Sequence, residues 1–144
     1  MNLLKLMIIF VLTSAATALC AQPLLHCDVS YAGTTHQLDA RVINDTGSDA
    51  DSDTNGAYIN EASDIGGRFR FKAVLLGTRQ HLEAVKLYAY YETDRHPVLL
   101  SEVRYSAPFT YSALPNSLTG LNYLYSPPLG RELQYGCALM EDKS

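Results

Sequence analysis

The chain reads as an all-β protein, a single domain of antiparallel strands folded as a sandwich or a small barrel. Three features predict this. Apolar residues recur at every second position in several runs, which is the period of a half-buried strand and not of a helix. Turn-forming residues punctuate those runs at short intervals. Beyond the first twenty or so residues, no stretch carries the 3.6-residue periodicity of an amphipathic helix.

The N-terminus is read first, because it sets the compartment. Lys5 is its one charge, Leu6 to Leu12 is apolar, and small residues follow through Ala21. These are the marks of a secretory signal, assigned to residues 1–21. The apolar run is shorter than the roughly 20 residues a membrane-spanning helix needs, and no later stretch approaches that length, so no membrane span is expected after cleavage. Cleavage after Ala18 fits the small-x-small rule and leaves three cysteines. Cleavage after Ala21 removes Cys20 and leaves Cys27 and Cys137. The second is preferred, since an unpaired thiol is a liability in an oxidising compartment. Lipidation at Cys20 would need a small residue just before it, and Leu19 stands there. Residues 22–144 then form one domain with one core, in the periplasm or outside the cell.

The strands follow in order. Leu25, Cys27, Val29 and Tyr31 alternate with His26, Asp28 and Ser30, and Ala32-Gly33-Thr34 makes a turn. His36, Leu38, Ala40 and Val42 share the inward parity of a second strand. From Asn44 to Asp64 the composition turns to Asp, Asn, Ser, Thr and Gly, too polar to offset its ordering entropy by burial. It is expected to be a long mobile acidic loop, with a short strand at most over Ala57 to Ile59.

The central hairpin spans Gly67 to Glu92. Phe69, Phe71, Ala73 and Leu75 face one way, and Arg68, Arg70 and Lys72 the other. After Gly77-Thr78-Arg79-Gln80 the alternation resumes, with Val85, Leu87, Ala89 and Tyr91 opposed to Lys86, Tyr88, Tyr90 and Glu92. Val98 to Tyr105 is a further strand, apolar on both faces at its start. Ser106 to Gly120 is an irregular connection, Leu121 to Tyr125 a short strand, and Arg131 to Met140 the last one. Seven or so short strands favour a sandwich, of the immunoglobulin-like kind, or a small barrel.

Cys27 and Cys137 both fall on the apolar parity of their strands. A disulfide between them would pin the first strand to the last and contribute about 4 to 5 kcal/mol by the chain-entropy model. The net charge of -4 is mild and argues against nucleic acid as a partner, which calls for a basic balance.

Asp45-Thr46-Gly47-Ser48 resembles the active-site motif of retropepsin-like aspartic proteases, an all-β family in which two monomers each supply one aspartate to a shared dyad. The resemblance extends to Ile65-Gly66-Gly67, similar to a glycine-rich flap, and to Leu129-Gly130-Arg131, similar to the element that supports the catalytic loop. It implies Asp45 as the catalytic carboxylate, alternately base and acid toward water. The chain departs from the family at Asn44, where an apolar residue should precede the aspartate. Asp and Gly also favour plain turns.

Asp51-Ser52-Asp53-Thr54-Asn55-Gly56 matches the opening of a calcium loop, in which alternate oxygens wrap a hard cation and glycine permits the sharp turn. Asp51, Asp53, Asn55 and Glu61 are its candidate ligands, although Glu61 falls one position early for the closing carboxylate. A solvated acidic loop is the competing reading. His26, His36, His81 and His96 form no H-x-H or H-E-x-x-H pattern.

The polar face of the central hairpin remains. Arg68, Arg70, Lys72, Lys86, Tyr88 and Tyr90 are expected to share it, and Arg with Tyr is the composition of binding surfaces. Ten tyrosines and no tryptophan in so short a chain sharpen the point. The competing reading is a solvated sheet face. The chain also faintly resembles small exported two-cysteine β-domain proteins of Gram-negative bacteria, through the Cys27 region, Ile65 to Phe71 and Arg131 to Cys137. That likeness implies no activity. The sequence therefore favours a binding protein over an enzyme, with a protein or cell-envelope ligand on the Arg/Tyr face. It implies no cofactor beyond calcium.

Overall fold

The computed structural model describes residues 21–42, 62–127 and 129–143. Within them lie eight strands: β1 (Gln22–Tyr31), β2 (Thr34–Arg41), β3 (Ser63–Ile65), β4 (Phe69–Gly77), β5 (Leu82–Tyr91), β6 (Val98–Ser106), β7 (Asn122–Ser126) and β8 (Arg131–Asp142). They form two antiparallel sheets of four strands, in the orders β2-β1-β8-β7 and β3-β4-β5-β6. The first holds the first and last strands and is called the terminal sheet; the second is the hairpin sheet. Neither closes on the other, which selects the sandwich over the barrel.

The alternation read from the sequence decides what faces the core. Leu25, Cys27 and Val29 of β1, Phe69, Phe71 and Leu75 of β4, Val85, Leu87 and Ala89 of β5, and Leu133, Tyr135, Cys137 and Leu139 of β8 are all buried in one cluster. Aromatic rings lock the layers together. Phe71 packs on Tyr135 at 5.1 Å between ring centres, and Phe69 meets Tyr31 edge-on at the same distance. Ser101 of β6 hydrogen-bonds the Tyr135 hydroxyl across the interior.

Cys27 and Cys137 sit directly opposite each other on β1 and β8 and are joined by a disulfide, with Cα atoms 4.1 Å apart and a sequence separation of 110. Such a close approach belongs to a pair that exchanges no main-chain hydrogen bonds. The bonding agrees. The Cys137 N–H donates to Thr119 Oγ1 (2.8 Å) and its carbonyl accepts from Leu118 (3.0 Å), both away from β1. The link fits an oxidising, exported location.

The strand expectations hold with three differences. The acidic loop, read as running through Asp64, ends earlier, because Ser63 and Asp64 pair with Phe71 and Arg70 as part of β3. Ile65 made this possible: it is fully buried, and one core residue anchors the short strand. Second, a bulge between Ala89 and Tyr90 shifts β6, so that Leu100 turns toward the core while Val98 and Leu99 stay exposed. This accounts for the two-sided apolar start of β6. Third, the 106–121 connection is irregular but not loose. Ser112 donates to the Leu139 carbonyl, and Asn116 lies so close over Gly136 that a Cβ there would meet its Oδ1 at 1.8 Å.

Two turns explain their residues. Ala32 (φ 51°) and Gly33 (φ 83°) form the left-handed pair that a two-residue hairpin needs. Gly66 combines φ 63° with the Tyr31 ring 2.6 Å from where a Cβ would stand, so it serves the approach of β3 to the terminal sheet. That is a packing role for a residue also readable as part of a flap. The short strand anticipated at Ala57 to Ile59 lies outside the described residues.

Candidate binding face of the hairpin sheet

Pairing of β4, β5 and β6 builds the site in rows. Arg70 stands opposite Tyr90, which stands opposite Leu99. Lys72, Tyr88 and Glu102 form the next row, and Val74, Lys86 and Arg104 the third. Five of the six residues expected on this face, namely Arg70, Lys72, Lys86, Tyr88 and Tyr90, are thus brought together. Arg68 lies one residue ahead of β4 and is exposed; its carbonyl accepts the Glu92 N–H at 2.8 Å, which extends the ladder by one pair.

The face is not the open, solvated surface that alternation alone suggests. Tyr88 is only 6% exposed, Tyr90 7% and Lys72 9%. The two tyrosine rings stack on each other, with centres 6.4 Å apart and planes 13° apart. With β4 on one side and β6 on the other, the stacked tyrosines make a floor. Burial raises the Tyr90 hydroxyl above the ordinary tyrosine pKa, with smaller contributions from Tyr88 and Glu102.

Charge is arranged around this floor. Arg70 Nε donates to the Glu92 carboxylate in a half-buried ion pair. Arg104 and Glu102 of β6 stand exposed at the far side. Sequence reading missed Arg104, which reaches this face only because β6 pairs with β5 in this register. The signal was available in the alternation of Glu102 and Arg104 against Val103 and Tyr105. Lys86 and Arg104 are directly opposite, an arrangement that costs stability by like-charge repulsion. The face carries Arg68, Arg70, Lys72, Lys86 and Arg104 against Glu92 and Glu102, and is basic on a chain of net charge -4.

The remaining candidates divide cleanly. Asp45, and the calcium candidates Asp51, Asp53, Asn55 and Glu61, lie outside the described residues. Gly66 and Gly67 form the turn between β3 and β4, and Gly130 the turn into β8. Among the described residues no three His, Cys, Asp or Glu side chains converge as metal ligands. His26 Nδ1 of β1 donates to Asp39 Oδ1 at 2.6 Å, and its Nε2 approaches Asp28 at 3.6 Å, on the outer side of the terminal sheet. His36, expected inward, is half-buried on β2.

No helix among the described residues is long and apolar enough to cross a membrane. Compared with known proteins, the chain matches no family model, no curated protein and no solved structure.

Proposed function

We propose that this protein is an exported binding module that engages a protein or cell-envelope ligand with the outer face of the hairpin sheet. One observation carries the reading: β4, β5 and β6 gather Arg70, Lys72, Lys86 and Arg104 around the tyrosine floor, with Arg68 just ahead of β4, against Glu92 and Glu102, on a chain that is acidic as a whole. A preorganised floor lowers the ordering cost of binding. Guanidinium groups at its rim match carboxylate or phosphate groups on a ligand. The reading therefore favours an anionic patch on the partner.

The test changes the rim and spares the floor. Wild type and the double variant Arg70→Glu with Arg104→Glu are immobilised and exposed to a cell-envelope extract, and the retained components are compared by mass spectrometry. Loss of a defined set of components in the variant is the expected result. An identical profile removes the face from consideration.

A further inference from the structure

We propose that the hollow beside the β1–β2 turn, at one end of the terminal sheet, is a binding site for a neutral saccharide, held by hydrogen bonds to its hydroxyl groups and by stacking on Tyr123 and Tyr125. The hollow belongs to the sheet opposite the hairpin face, so the binding proposed above and the binding proposed here can fail separately.

Strand register builds the hollow. On the outer side of the terminal sheet, one row runs Thr35, Ser30, Gln134, Tyr123 across all four strands. In the next row Glu132 stands opposite Tyr125, while β1 and β2 have already turned at Ala32 and Gly33. Short side chains on β1, β2 and their turn therefore face long ones on β8. The difference in height leaves an open cavity of about 480 Å³, which Tyr31 and Arg131 also line. Its size falls within the range of small-molecule sites.

The polar groups around it are already tied to one another. The Ser30 and Thr35 hydroxyls share a hydrogen bond of 2.7 Å. The Glu132 carboxylate accepts from Gln134 Nε2 at 2.6 Å and from the Tyr125 hydroxyl. Arg131 gives one N–H to the Tyr91 hydroxyl at 3.4 Å, and a guanidinium carries five.

The chemistry of the lining selects the ligand. Among the described residues it holds one cation, Arg131, and one carboxylate, Glu132, so it favours neither an anion nor a cation. Ser30, Thr35 and Gln134 can each donate and accept, and the complement of such groups is one that does both, a hydroxyl. The planar ends of Arg131, Glu132 and Gln134 each present two polar atoms side by side, which suits two neighbouring hydroxyls on one ring. Tyr123 and Tyr125 flank the same two rows and are 49% and 59% exposed. A sugar ring has a C–H face as well as a hydroxyl rim, and an open aromatic ring beside a polar hollow can hold both. An apolar ligand would leave the lining unpaired. A peptide would bring isolated amides in place of adjacent hydroxyls.

Maltotriose, cellotriose and chitotriose are each titrated, up to about 20 mM, into isotope-labelled protein while the amide resonances are followed. At least one is expected to shift the amides of Ser30, Gly33, Thr35 and Gln134 saturably, with a Kd of about 1 mM. Glu132→Gln is expected to weaken that binding about tenfold, through loss of a charged acceptor. Tyr125→Ala is expected to weaken it about fivefold, through loss of the stacking ring. Both positions lie on the outside of the sheet, so both variants keep the folded spectrum. Trigalacturonate and trialanine, the anionic and peptide probes, are expected to leave these amides in place. The proposal is overturned if none of the three sugars gives a saturable shift there, if either control probe shifts these amides as strongly, or if both variants bind as the wild type does.

Discussion

Two tyrosine pairs have the same spacing and opposite fates. Tyr88 and Tyr90 on β5, and Tyr123 and Tyr125 on β7, each sit two residues apart on the outward side of a strand. The first pair is almost wholly buried and the second about half exposed. The difference is the number of neighbours. β5 has β4 on one side and β6 on the other, so Tyr88 is flanked by Lys72 and Glu102. β7 has only β8, where Glu132 and Gln134 cover one flank. Alternation along a strand fixes the side of a residue; the order of strands in the sheet fixes whether solvent reaches it. The buried pair is part of the packed hairpin sheet, and the open pair meets solvent.

The largest expected effect tests whether the two sheets are equally secure. Cys27→Ala with Cys137→Ala should lower stability in urea by about 4 kcal/mol, and a loss below about 1 kcal/mol would show the sulfur link to be redundant. Amide exchange in that variant should rise first in β1 and β8, leaving β4 and β5 protected. The tyrosine comparison itself is tested next. Tyr88→Ala should cost about 3 kcal/mol, in the range of large aromatic truncations in cores, and Tyr123→Ala less than about 0.5 kcal/mol, as surface changes do. Equal costs in urea titrations would erase the distinction.

Alkaline pH separates the pairs in another way. The Tyr90 pKa is raised by burial, and those of Tyr105 and Tyr135 likewise, so the fold prefers their neutral form. An acid whose folded pKa exceeds its unfolded value contributes stability that is intact below the ordinary tyrosine pKa and lost as pH rises through the folded one. Thermal midpoints should therefore hold steady up to about pH 10 and fall above it, and phenolate absorbance should lag behind that of the denatured chain. Tyr125 is also raised, chiefly by its hydrogen bond to Glu132, yet it stands exposed on β7. Glu132→Gln should bring its titration back without moving the midpoint. The smallest effect is expected at the Arg70–Glu92 pair. A double-mutant cycle with Arg70→Gln and Glu92→Gln should give a coupling of about 0.5 to 1 kcal/mol, reduced by salt.

Much of the fold could be read from the residues because alternation survives translation into structure. The core faces of β1, β4, β5 and β8, and the placement of both cysteines on the inward parity, follow from period two alone. β3 was hidden, since a three-residue strand beside an acidic stretch has no periodicity to show; only Ile65 marked it. The role of Gly136 was hidden too, because Asn116 reaches it from twenty residues away. At the candidate face the members were legible but their burial was not. That depends on β6 arriving beside β5, and no run of residues announces its neighbour. Arg104 was overlooked for the same reason.

The pairing of the first strand with the last has one more consequence. Register places Gln22 beside Asp142, so the two ends of the domain leave from a single corner. β8 also lies between β1 and β7, so its half of the sandwich has no middle until the twelve residues of β8 have emerged. A premature stop just upstream would not trim a tail. It would leave the β1–β2 hairpin with Leu25, Val29 and a lone thiol bare to the solvent, a substrate for quality-control proteases and no longer a folded protein.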